Sequence, residues 1–213
     1  MSLTPPNAVI FDLGKVLLDF NYGRAAQVMA ERSRVSEEVI RDALDQSALL
    51  YRFETGELSA REMFKEVVEL SGYNGDFHEF AVAFGDIFTE IPEMIQLHAS
   101  LRAANIPTYI LSNTNELAVA FIRETYPFFR TFTGHVYSHV TRCMKPASAI
   151  YDEVERLSGL RGAELLYIDD RKENVLAGAD RGWQVIHHVC ASETVAAVMN
   201  RLHLGRGKSV GKV

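Results

Sequence analysis

AVIFDLGKVLLDF, running from Ala8 to Phe20, is where this sequence declares its architecture. Four β-prone apolar residues, Ala8 to Phe11, run into Asp12; Gly14 interrupts, and a second apolar group, Val16 to Leu18, ends at Asp19. A continuous apolar run bounded by a polar residue and a glycine predicts a strand buried on both faces, as in a parallel sheet. Asp12 then stands at the carboxyl end of a central strand, where open α/β sheets bind their ligands. A carboxylate is costly to desolvate there unless a cation faces it, so Asp12 is a candidate functional residue.

After Asp19 the pattern turns helix-like and stays so to residue 88. Arg24 to Ser33 is alanine-rich, Ser36 is placed to cap a helix carrying Val39, Ile40, Ala43 and Leu44, and Ser59 with Glu62 forms a capping box ahead of Met63, Phe64 and Val67. Tyr51 to Glu57 reads as a loop between two of these helices, with Arg52 and Glu54 as candidate substrate contacts. From Ile91 onward helices and strands alternate. Strands are predicted at Thr108–Leu111, Gly134–Val140, Leu165–Ile168 and Trp183–His187. Helices are predicted to start at Pro92, after Asn115, at Pro146, at Asn174 and at Ser192. Alternation of this kind indicates parallel strands joined by helical crossovers. The expected fold class is therefore α/β, with a Rossmann-like core formed by 1–19 and 89–213 and a small helical cap, 20–88, inserted after the first strand. The short basic, glycine-rich end, 205–213, reads as a disordered tail.

With 213 residues the chain has length for one domain, or one domain and a small insertion. A net charge of -6 leaves no basic excess to neutralise phosphates, which argues against nucleic acid as a partner. Cys143 and Cys190 lack CxxC spacing and make no disulfide framework, so a reducing, cytoplasmic compartment is expected. No apolar h-region opens the chain and no run approaches the roughly 18 apolar residues of a span, so neither a signal peptide nor a membrane is expected. A monomer or small homo-oligomer is the expected state.

The polar residues that bear chemistry recur at predicted strand ends: Asp12, Ser112-Asn113 and Asp169-Asp170. A parallel sheet brings those ends to one edge. Carboxylates gathered there repel and raise one another's pKa values unless a cation holds them, and oxygen ligands suit Mg²⁺ best. Lys145, just before Pro146, offers a point charge for a carboxylate or a phosphate.

With these residues assembled, the chain resembles the haloacid dehalogenase superfamily of hydrolases. FDLGKV matches its first motif, LSNTN the second, Lys145-Pro146 the third and YIDDRKENVLAGADRGW the fourth, in order along nearly the whole chain. FDLGKV, FETGELS and LSNTN look most like bacterial phosphatases of the α-D-glucose-1-phosphate phosphatase group. The resemblance implies a Mg²⁺-dependent phosphatase acting on a small phosphorylated metabolite, with a sugar phosphate as the expected class. It implies that Asp12 is the nucleophile, forming an aspartyl-phosphate, and that Ser112 and the Asn113 amide hold phosphoryl oxygens while Lys145 offsets charge. It places the metal with Asp12, the Gly14 carbonyl and Asp170, with Asp169 in direct or supporting contact.

One position departs from the pattern. Most phosphatases of this superfamily carry a second Asp two residues after the nucleophile as acid and base, and Gly14 stands here instead. Such help is worth about 10² to 10⁴ in rate. Lys15 is a candidate replacement or phosphate contact, and Asp19, Glu54 and His139 are further candidates from reach. The glycine keeps two alternatives open: a metal-independent hydrolytic dehalogenase, and a catalytically weak phosphate-binding protein.

Overall fold

β1, Ala8–Phe11, is buried at every residue and lies in the middle of a five-stranded sheet, as its uninterrupted apolar run requires. It pairs in parallel with β4, Thr108–Ser112, on one side and with β6, Leu165–Asp169, on the other. β5, Gly134–Tyr137, and β7, Gln184–His187, complete the order β5-β4-β1-β6-β7, all parallel. A computed structural model describes residues 4–204; the tail expected at 205–213 lies outside the described residues.

Alternate residues of β1 face opposite layers. Val9 and Phe11 pack with Met94, Leu97 and Leu101 of helix α6, Pro92–Ala103, and with Val198 of helix α11, Ala191–Arg201. Ala8 and Ile10 pack with Ile150, Tyr151 and Val154 of helix α9, Ser148–Ser158, beside Trp183. Both faces of the strand are thus dry, and no position is free to be polar until Asp12.

Five helices follow the first motif: α1, Tyr22–Ala30; α2, Glu37–Leu44; α3, Ala48–Glu54; α4, Ala60–Ser71; and α5, Phe77–Gly85. They bury a third apolar cluster of their own, in which Phe84 makes ring contacts with Tyr22, Phe53 and Phe80. The Ser59–Glu62 capping box forms at the start of α4. At the junction with the core, β2, Leu18–Phe20, pairs antiparallel with β3, Phe88–Glu90, a two-stranded neck that the sequence reading did not contain.

Several expected boundaries move. Tyr51 to Glu54 is helix, not loop, because the Ser47 hydroxyl accepts from the Leu50 amide and starts α3 three residues earlier. The strand expected to reach Val140 stops at Tyr137, and Ser138–Thr141 forms a single helical turn, α8. Helix α7 spans Glu116–Thr125 and is capped by Asn115 as expected. Helix α9 begins at Ser148 rather than at Pro146. Helix α10 spans Lys172–Asp180, starting two residues before Asn174.

Candidate active site

The chain leaves β1 and β6 in opposite directions, β1 leading to β4 on one side and β6 to β7 on the other. Their carboxyl ends flank the switch point where doubly wound sheets open a crevice. Register sets the depth: Phe11 is level with Ile168, and the Asp12 amide donates to the Ile168 carbonyl at 2.9 Å. Asp12, Asp169 and Asp170 consequently bring one carboxylate oxygen each to within 4.8 Å of one another.

Lys145 arrives from the β5 side and is spent on this cluster. Its ammonium donates to Asp12 at 2.8 Å, to Asp169 at 2.7 Å and to the Leu111 carbonyl at 3.1 Å. Burial opposes the charge, but the Asp12 and Asp169 carboxylates hold the lysine pKa above its ordinary value. The Asn113 side chain fixes the lysine backbone from both sides, accepting from the Lys145 amide at 2.8 Å and donating to its carbonyl at 3.1 Å. Asn113 thus acts through its side chain as a clamp on Lys145, where the sequence reading had expected its backbone amide to hold phosphate.

The two adjacent aspartates differ in their surroundings. Asp169 is wholly buried, and its oxygens accept from Lys145, from the Tyr167 hydroxyl, from Asn174 Nδ2 at 3.0 Å and from the Arg171 amide at 2.8 Å. Burial pushes its pKa up, but Lys145, with the Tyr167 hydroxyl and the Arg171 amide, brings it below the usual range. Asp170 is half-buried and lines the cavity; burial and the neighbouring Asp169 raise it. Asp12 is raised well above the carboxylate range by burial, with Lys145 pulling down and Asp169 and Asp170 pushing up. Two carboxylates held high by desolvation and mutual repulsion, all donors to the site being oxygen, are what a hard divalent cation relieves.

These groups open onto a cavity of about 610 Å³ between the core and the cap. Asp12, Gly14, Asn113, Lys145, Asp170 and Arg171 line the core side, and Tyr22, Asp45, Gln46, Ser47, Tyr51 and Glu54 line the cap side. Ser112 is not on this wall: it closes β4, a strand buried throughout, and its hydroxyl turns to the Asn113 carbonyl at 3.3 Å. Arg52 is not on it either. On helix α3, Tyr51 and Glu54 share the cavity face one turn apart, while Arg52 is rotated outward to pair with Glu66 at 3.3 Å. His139 Nδ1 donates to the Thr114 carbonyl, 2.9 Å away, outside this cavity.

Gly14 has a steric reason. A Cβ added there would lie 2.9 Å from the Phe20 ring, which rests edge-on against Tyr22 and Phe88. Lys15 holds that ring in place: its ammonium pairs with Asp19, donates to the Phe20 carbonyl at 3.2 Å and sits 4.7 Å from the ring centre. Lys15 borders the cavity with its charge already engaged.

A family model of haloacid dehalogenase-like hydrolases matches residues 6–182. The chain belongs to this family of hydrolases. It is 26% identical over 184 residues to a D-ribitol-5-phosphate phosphatase of Bacteroides thetaiotaomicron, covering 83% of this chain and 88% of that one. Among solved structures, a haloacid dehalogenase family enzyme of the same organism in complex with magnesium and inorganic phosphate superposes with a TM-score of 0.75 at 19% identity. That match covers 85% of this chain and 93% of the other. The L-2-haloacid dehalogenase of Xanthobacter autotrophicus superposes with a TM-score of 0.61 at 21% identity, over 84% of this chain and 76% of that one. These superpositions establish the shared fold.

Tyr167, Tyr22, Asp45, Gln46 and Ser47 were not legible as site residues. Tyr167 sits inside an apolar strand run, and the cap residues carry no motif; Ser47, whose hydroxyl caps α3, was a capping signal the sequence reading did not use.

Proposed function

We propose that this hydrolase is a Mg²⁺-dependent phosphatase for a neutral, polyhydroxylated monophosphate such as a sugar or polyol phosphate. The observation that carries the reading is the buried Asp12–Lys145–Asp169 chain with Asp170 beside it. One lysine already neutralises part of the cluster, and an oxygen-only site remains for a divalent cation. Asp12, Asp170 and the Gly14 carbonyl would hold Mg²⁺, which supplies charge neutralisation for a bound phosphate. Asp169, with both oxygens already committed to donors, fits a supporting role that fixes Lys145 and the turn carrying Asp170.

In this reading Asp12 attacks phosphorus in line and becomes an aspartyl-phosphate, which water then hydrolyses. Lys145 and the backbone amide of Asn113 stabilise the phosphoryl oxygens. The cap wall supports the substrate class. It offers hydroxyls, an amide and carboxylates from Tyr22, Ser47, Gln46, Asp45 and Glu54, and among the described residues no cap cation lines the cavity. Hydroxyl groups on the leaving part are matched; a second phosphate or a carboxylate is not. The relative that hydrolyses ribitol 5-phosphate fits the same class.

Phosphate release from a panel of sugar, polyol and bisphosphate esters tests this. Release from monophosphates is expected with Mg²⁺, lost on chelation and absent from Asp12→Asn. Halide release from 2-haloacids that survives chelation would instead assign the chain to the dehalogenase chemistry of its more distant structural neighbour.

A further inference from the structure

If the site hydrolyses phosphate esters, as proposed above, it needs a proton for the departing oxygen, and Gly14 has no side chain to give one. In-line displacement places the leaving oxygen on the side of phosphorus opposite Asp12. Asp12 is on the core floor, so that oxygen faces the cap. We infer that Glu54, at the end of α3 in the cap, is the catalytic acid and base of this enzyme, replacing the group absent at Gly14.

Three observations point to Glu54 among the groups within reach. First, its backbone is tied to the core rather than left to the cap. The Ser138 hydroxyl donates to the Glu54 carbonyl at 2.6 Å and accepts from the Thr114 amide at 2.9 Å, in the loop that also carries Asn113. Two residues on, Gly56 packs so closely on the His139 carbonyl that a Cβ would approach to 2.2 Å. The end of α3 is therefore held in register with the strand ends. Second, the Glu54 carboxyl lines the cavity with Asp12 and Lys145 and, among the described residues, accepts no hydrogen bond and forms no ion pair. Third, the competitors are occupied or misplaced. Lys15 is paired with Asp19, His139 is bonded to Thr114 outside the cavity, and Asp45 is exposed at the rim.

The surroundings suit the role. Burial raises Glu54 to about 7, against the pull of Lys145 and Arg171; on the cap side it faces the Tyr22 hydroxyl, on which the Asp45 carboxylate also acts. Both protonation states are then populated near neutrality, as a group that acts first as acid and then as base requires. In the first step an Asp12 oxygen bonds to phosphorus as the bond to the leaving oxygen breaks. The electron pair stays on that oxygen, which takes the Glu54 proton and departs as an alcohol. In the second, the Glu54 carboxylate takes a proton from water as its oxygen attacks phosphorus. The bond to Asp12 breaks, phosphate is released, and both side chains return to their starting states.

The test compares a polyol phosphate, whose alkoxide needs the proton, with 4-nitrophenyl phosphate, whose phenolate does not, in the presence of Mg²⁺. Glu54→Gln is expected to lower kcat/KM for the polyol ester by about 10² to 10⁴. The first turnover of the nitrophenyl ester is expected to persist as a burst, followed by slow steady-state release because the aspartyl-phosphate lacks its base. The same split is expected of Glu54→Ala. Wild-type kcat/KM for the polyol ester is expected to fall as pH rises through about 7, and this limb is absent for the nitrophenyl ester. Equal losses on both esters, or no loss on either, overturn the inference while leaving the phosphatase reading intact. No Mg²⁺-dependent release by the wild type from either ester overturns both.

Discussion

Lys145 lies between two carboxylates that would otherwise repel in a buried site, and removing it deprives both of their cation. Breaking a buried pair of this kind costs about 3 to 5 kcal/mol. Lys145→Met is expected to lose that stability together with activity. In metal-free protein the loss carries a pH signature. Burial already holds the Asp12 pKa above its unfolded value, and without the lysine it rises further. The folded state then binds more protons than the unfolded one, so stability falls as pH rises above about 4. The deficit in urea denaturation is expected to be larger near neutrality than in mild acid, and equal deficits would contradict the electrostatic account. Gly14 makes the second expectation at this scale. Restoring the superfamily's aspartate with Gly14→Asp drives a side chain into the Phe20 ring. A loss of about 1 to 3 kcal/mol and a lower kcat are expected, as overpacking predicts; a faster enzyme would show that Gly14 is merely a missing acid.

At the scale of elements, α3 decides what the cap presents to the cavity. Its seven residues complete fewer than two turns, so no apolar period could reveal it, and Gly56 with the mixed residues around it imitated a loop. Once the Ser47 cap sets its phase, Tyr51 and Glu54 face inward and Arg52 outward. Arg52→Ala is therefore expected to leave kcat/KM within about twofold, since the exposed pair with Glu66 contributes little. A tenfold loss would place Arg52 on the substrate. The sheet was easier to read. β1, β4 and β6 are buried on both faces, and a strand in that setting must be written in consecutive apolar residues ending at the first polar one. Asp12 and Asp169-Asp170 were visible for that reason. The Tyr167 bond to Asp169 and the β2–β3 neck were not, because one hides in an apolar run and the other joins three-residue strands far apart in sequence.

For the whole molecule, the candidate site lies between the sheet and the five inserted helices: the strand ends supply the charged floor and the helices the uncharged and acidic roof. Among the described residues no helix is long and apolar enough to cross a membrane. A cation that binds the folded floor and not the unfolded chain raises the melting temperature by mass action. Mg²⁺ is expected to raise Tm of the wild type and to lose most of that effect in Asp170→Asn, read by thermal denaturation with and without chelator. An undiminished shift in the variant would move the metal elsewhere. The central claim, transfer of a phosphoryl group to Asp12, is tested most directly by acid-quenching the enzyme during turnover of a polyol phosphate with Mg²⁺ and mapping the modified peptide by mass spectrometry. A phosphoryl adduct on Asp12 that forms only with Mg²⁺ and decays as phosphate appears is the result expected; turnover with no adduct at any quench time, or an adduct on another residue, would contradict it.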